Sequence, residues 1–258
     1  MNEIIIISLA AFITAILTFF SGFGLGTILT PVFLVFFPVD LAIALTGVVH
    51  FCNNLFKIFL VGKHVDKEVL LRFGIPAVVA AFIGSWLLLN VTDIEPLFTY
   101  HIGEKRIEVF PVKFIIALLL IFFVMIDFIP YFKNLEFGKE KLPIGGMLSG
   151  FFGGLSGVQG ALRSAFLVKA GLSKEAFVAT TVVIACFVDV TRLSMYATRF
   201  TKSGLHENWE LVLFATFSAI AGAYIGNRLL KKVSLKFVQI LVAVMLVVIS
   251  LSLGAGLI

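Results

Sequence analysis

Nine long apolar runs, from Ile4–Phe20 through to Phe237–Leu257, follow one another along this chain with only short polar joints between them. Most approach the roughly 20 residues an α-helix needs to cross about 30 Å of hydrocarbon. Sixty per cent of the residues are apolar and 14% charged, against about 45–50% and about 25% in soluble domains. The alternating pattern of a membrane-spanning strand is missing, which argues against a barrel. The expected fold is an all-α polytopic integral membrane protein of the cell membrane. The longest polar stretches, Asn90 to Pro111 and Tyr131 to Pro143, are too short to bury a core of their own, so residues 1–258 read as one membrane domain. Met1 to Phe20 lacks the leading Lys or Arg of a signal peptide and reads as a retained first segment.

Two of the apolar regions are broken by glycine: Ser21-Gly-Phe-Gly-Leu-Gly26, ahead of Pro31, and Gly153-Gly-Leu-Ser-Gly-Val-Gln-Gly160. Lipid cannot satisfy free backbone N–H and C=O groups. A break at membrane depth is therefore tolerated only where protein or a water-filled cavity surrounds it. The chain also repeats itself. Ala81-Phe-Ile-Gly-Ser-Trp-Leu-Leu-Leu-Asn-Val91 lines up with Ala223-Tyr-Ile-Gly-Asn-Arg-Leu-Leu-Lys-Lys-Val233. Upstream, Gly26 falls on Gly160, Thr46 on Thr180 and Cys52 on Cys186. The expected organisation is two repeats, 1–130 and 131–258, each a glycine-broken helical hairpin followed by three transmembrane helices.

Loop charge decides how the breaks sit, because Lys and Arg gather on the cytoplasmic side. If each broken region crosses once, the basic loop residues divide almost evenly. If each returns to its own side, or crosses twice, they fall mostly on one side, with Lys63, Lys67, Arg72, Lys133, Lys139, Lys141 and the Arg228–Lys236 cluster among them. The second arrangement obeys the rule and gives each half an odd number of crossings. The halves are then inverted, with both termini non-cytoplasmic. Inverted repeats whose broken helices meet near the midplane are a recurring transporter plan. The net charge of +5 is explained by basic loops beside anionic lipid and calls for no nucleic-acid partner.

Lys57, Arg163 and Arg192 fall well inside apolar segments, and Asp189 alone among acidic residues lies comparably deep. Charge at that depth is expensive and commonly marks a pathway; an excess of cations suits an anion. Asp189 and Arg192, three apart, share a helix face. His50, Asn53, Asn54 and Lys57 share a face of the corresponding first-half helix. Arg163 follows Gly160 within the first turn of a half-helix, whose free N–H groups favour anions, and its fork suits two oxygens of an oxyanion. Each feature has a plainer reading. Lys57 and Arg163 can snorkel to an interface, and Asp189–Arg192 can be a purely structural pair. His50 can be a hydrogen-bonded interior residue, and Gly24 and Gly26 can serve close helix packing.

The stretch Gly150-Phe-Phe-Gly-Gly-Leu-Ser-Gly-Val-Gln-Gly160, with Leu167 to Leu172 and Ala179-Thr-Thr181, resembles the second-half signature of the TauE/SafE sulfite exporter family. Gly22-Phe-Gly-Leu-Gly-Thr-Ile-Leu-Thr-Pro31 is similar to its first glycine motif. The resemblance implies export or uptake of sulfite, sulfonates or related organosulfur anions. Together with the charges it leads to an expected secondary transporter of a small anion. Gly157, Gln159, Gly160 and Arg163 bind from one hairpin and Gly22, Gly24, Gly26 and Thr27 from the other. Asn54, Lys57 and Arg192 flank the site, and Asp189 and His50 act as structural or proton-coupling groups. An anion channel shares the same electrostatics. A membrane-embedded enzyme is the third reading, but no HExxH, GxSxG or Cys-x-x-Cys motif is present. No cofactor or metal is expected.

Overall fold

The computed structural model describes residues 2–19, 24–91, 94–128, 138–168, 170–200, 206–229 and 235–257. Among the described residues ten α-helices carry the fold: α1 Asn2–Thr18, α2 Leu25–Leu34, α3 Val39–Val61, α4 Lys67–Val91, α5 Pro111–Phe128, α6 Leu142–Ser156, α7 Gly160–Leu167, α8 Lys174–Phe200, α9 Trp209–Leu229 and α10 Leu235–Gly254. Among the described residues, four segments are long and apolar enough to cross a membrane: Val39–His64, Lys67–Val91, Lys174–Ala197 and Trp209–Arg228. α1 and α2 form one broken pair and α6 and α7 the other.

Local chemistry sets these boundaries. Gly24, at φ 75°, turns the chain into α2. Gly157, also at φ 75°, ends α6 in the left-handed conformation that a side chain resists, and its N–H closes on the Gly153 carbonyl. Asp66 caps α4 by accepting from the Val69 N–H at 2.9 Å, and Ser173 caps α8 by accepting from Ala176 at 3.2 Å.

Packing crosses between the two halves of the chain. α4 lies along α6 and α1 along α9, while α3 crosses α8 and α5 pairs with α10. Small residues permit the closest of these approaches. Gly146, Gly150 and Gly154, one turn apart on α6, face the backbone carbonyls of Phe73, Ala77 and Ala81, one turn apart on α4, so that a Cβ at any of the three would collide with a carbonyl oxygen. Gly84 on α4 meets the Phe151 backbone, and Gly226 on α9 meets the Ile16 backbone on α1. Where lipid is as apolar as leucine, such backbone-to-backbone contact holds helices together by packing. Tyr196 on α8 ties in by donating to the Gly154 carbonyl at 2.5 Å.

One element departs from the all-helical expectation. Residues Phe98–Ile102 (β1) and Lys105–Val109 (β2) pair antiparallel, Phe98 opposite Val109 and Ile102 opposite Lys105, with Gly103 at φ 61° in the turn. The segment Asn90 to Pro111, read from sequence as a polar linker, holds a short alternating pattern that buries Ile107 and Val109 on one face. The hairpin is fastened to the end of α10, where the Tyr100 hydroxyl donates to the Ala255 carbonyl at 2.5 Å.

Candidate functional site

α3 and α8, the two long helices that follow the broken pairs, carry nine of the twenty buried polar side chains among the described residues. On α3, Thr46, His50, Asn53, Asn54 and Lys57 recur every three or four residues and are all buried; on α8, Thr181, Asp189 and Arg192 are buried likewise. α7 adds Arg163, 1% exposed. The interior placement of Lys57 and Arg163 leaves no room for the snorkelling alternative.

Asp189 is the hub. Its Oδ1 accepts from Arg192 Nε at 2.9 Å and from Gln159 Nε2 at 3.2 Å, with Arg192 Nη2 in ion-pair contact with the same oxygen at 2.8 Å; its Oδ2 lies 2.6 Å from His50 Nδ1. The Asp189–Arg192 pairing anticipated from their spacing is therefore present. A carboxylate only accepts, so His50 Nδ1 is the donor, which leaves Nε2 to accept from Asn54 Nδ2 at 3.2 Å. That assignment satisfies an uncharged imidazole at both nitrogens. Gln159 relays the chain onward, its Oε1 accepting from Arg163 Nη1 at 2.9 Å. The result is a continuous string from Asn54 through His50, Asp189 and Gln159 to Arg163, with Arg192 as a branch.

A cavity of about 310 Å³, its open mouth included, lies on the Arg163 side of this string. Its polar wall includes His50, Asn54, Lys57, Arg163 and Thr181, with Thr18 and the Gly24 backbone beside them, and Phe19, Phe177 and Val178 contribute apolar surface. Two groups on this wall, Arg163 Nε and Thr181 Oγ1, are buried without a hydrogen-bond partner. Lys57 Nζ sits 5.1 Å from the centroid of the Phe19 ring, a cation–π contact. Among the described residues, no carboxylate lies within ion-pair distance of either Lys57 or Arg163. With His50 uncharged, Lys57, Arg163 and Arg192 set against Asp189 leave two positive charges in excess.

The predicted site residues divide into two groups. Gly24, His50, Asn54, Lys57 and Arg163 line the cavity. Gly26, Gly157, Gln159, Gly160 and Arg192 lie off its wall. Gly26 packs so closely on α6 that a Cβ there would come within 3.0 Å of the Gly157 carbonyl oxygen. A Cβ on Gly24 would lie 3.8 Å from Gly160 Cα, so the two glycine breaks meet. Thr27 is buried in α2. Gly22 lies outside the described residues. Sequence reasoning missed Thr181 and Phe19. Thr181 stands two turns before Asp189 on α8, and that spacing along a charged face was the available signal. Among the described residues, no group of three His, Cys, Asp or Glu side chains is placed to hold a metal ion.

A polytopic helical bundle with a cation-lined interior cavity is the framework of a multi-pass membrane protein. The chain belongs to the sulfite exporter TauE/SafE family, whose model matches residues 7–253. It is accordingly a multi-pass membrane transporter. Neither a curated protein nor a solved structure matches it.

Proposed function

We propose that the protein is a secondary transporter that exports a small organosulfur oxyanion, such as sulfite or sulfoacetate, and that the cavity beside Arg163 is where the anion binds. The observation that carries this reading is the pair of buried cations on one wall, Lys57 and Arg163, with no carboxylate in reach. Burying a charge without a partner is costly, and an incoming anion supplies the missing counter-charge. Arg163 Nε and Thr181 Oγ1 are the open donors, and Gln159 holds the guanidinium in place from behind. Alternating access follows from rocking one half against the other about the crossed α3 and α8. The family's association with sulfite supports the choice of substrate class.

The test is thermal stability of the purified protein with sulfite, sulfoacetate, sulfate, phosphate or acetate. A ligand at about 100 times its dissociation constant stabilises by about 2.7 kcal/mol. A sulfur oxyanion should raise the midpoint selectively. Arg163→Ala should fold, because it removes an uncompensated buried charge, yet lose both the shift and transport into proteoliposomes. Unchanged transport in that variant would remove Arg163 from the site, and flux far above carrier rates would point to a channel.

In the inverted arrangement both termini face away from the cytoplasm. A fluorescent protein that matures only in the cytoplasm, fused after Ile258, should therefore remain dark. A bright fusion would reverse the orientation.

A further inference from the structure

The Arg192 guanidinium is used on one edge only. Of its five N–H donors, only the one on Nε donates to Asp189 Oδ1, at 2.9 Å, while Nη2 faces the same oxygen as an ion pair at 2.8 Å. The remaining four, on Nη1 and Nη2, are buried at 0% exposure, and neither nitrogen has a hydrogen-bond partner. Buried donors without partners are rare enough to require an explanation. Here they do not stand alone. The Thr30 and Thr46 hydroxyls, both 0% exposed, are also without partners, and both helices that carry them, α2 and α3, pack against each other.

Glycines keep this edge uncovered. A Cβ on Gly157 would sit 3.0 Å from both Arg192 Nη1 and Thr30 Oγ1; a Cβ on Gly47 would sit 3.4 Å from Arg192 Cζ and Nη2. Arg192 and Thr30 thus converge on one spot beside Gly157. That spot is separate from the cavity, which neither Arg192 nor Thr30 lines, and the Gln159–Asp189 contact stands between Arg163 and Arg192.

We propose that the free edge of Arg192, with the Thr30 hydroxyl, is a second oxyanion subsite, closed in this conformation, to which the anion passes from Arg163 as the transporter turns over. The inference rests on the anion-transport reading above. End-on pairing with Nη1 and Nη2 gives the anion two parallel hydrogen bonds while Asp189 keeps the Nε edge. The anion therefore moves between two guanidinium groups without either being stripped of its tether.

Thr30→Val separates this role from a packing role. Valine keeps the shape and removes a buried hydroxyl that has no partner, so the midpoint of thermal unfolding should hold or rise. Stabilisation by sulfite, read from the Arg163 cavity, should be unchanged. Sulfite turnover in proteoliposomes should fall by about tenfold or more, the loss expected with one hydrogen bond to a charged group, and Thr30→Ser should restore it. Normal turnover in Thr30→Val with sulfite binding intact overturns the subsite and leaves the cavity standing. Absence of sulfite binding to the wild type removes the anion reading and this inference with it. If Thr30→Val does not fold, Gly47→Ala serves instead. Its methyl would lie against the free edge, with only the end of the Leu193 side chain, at 3.1 Å, having to give way, and unchanged turnover there overturns the proposal equally.

Discussion

Asp189→Ala is expected to destabilise the protein by about 3–5 kcal/mol, the usual cost of removing one partner from a buried ion pair. The carboxylate takes four contacts from three side chains, Arg192, Gln159 and His50, and is itself 0% exposed. Without it, Arg192 becomes a buried cation with no counter-charge. Gln159 also loses the contact that orients it toward Arg163. Unfolding in detergent, followed by thermal melting, measures the effect; a midpoint within a degree or two of the wild type would show that the hub is dispensable. The double change Asp189→Leu with Arg192→Met separates stability from function. Replacing a whole buried pair with apolar residues of similar volume is often neutral or stabilising, so this variant should regain stability while transport stays lost.

Gly150→Ala should be among the most damaging single methyls at the described glycines. A Cβ there would overlap the Ala77 carbonyl and its Cα, both backbone atoms that cannot rotate aside. α4 and α6 would have to separate along their length, and overpacking of this kind costs about 1–3 kcal/mol. Gly74→Ala, on the partner helix, is the control. Its Cβ would make ordinary contacts at 3.5 Å with Leu70 and 3.6 Å with Ile184, and alanine in a helix gains up to about 1 kcal/mol over glycine. The first variant should lose expression and melt early, and the second should match or exceed the wild type. Equal behaviour of the two would mean that the α4–α6 approach is not set by these glycines.

What could be read from sequence follows the range of each interaction. Asp189 and Arg192 are three residues apart on one helix, so their pairing was legible from spacing. The link from Asp189 to His50 spans 139 residues and leaves no local trace; only the shared depth of the two residues hinted at it. The glycine breaks were visible because composition changes abruptly there. Their separate jobs were not: Gly24 lines the cavity, whereas Gly26 packs on the Gly157 carbonyl. Thr30 was invisible for a different reason. A threonine in an apolar helix ordinarily bonds back to its own helix, as Thr18 does to the Thr14 carbonyl, and only the fold reveals which hydroxyls lack that partner. The hairpin at Phe98–Val109 was hidden by its shortness, five residues to a strand.

The crossed pairing of α1 with α9 and of α4 with α6 bears on how the chain is made. During synthesis the N-terminal segments emerge first, yet the glycine-faced surfaces that receive α1 are not translated until Gly222 and Gly226 appear, some two hundred residues later. α1 must wait in lipid without its native neighbour for most of that time, and α4 waits for α6. Neither half can reach its final packing alone. The two halves produced as separate polypeptides should each be degraded when made singly and should assemble into a working carrier only when made in the same cell.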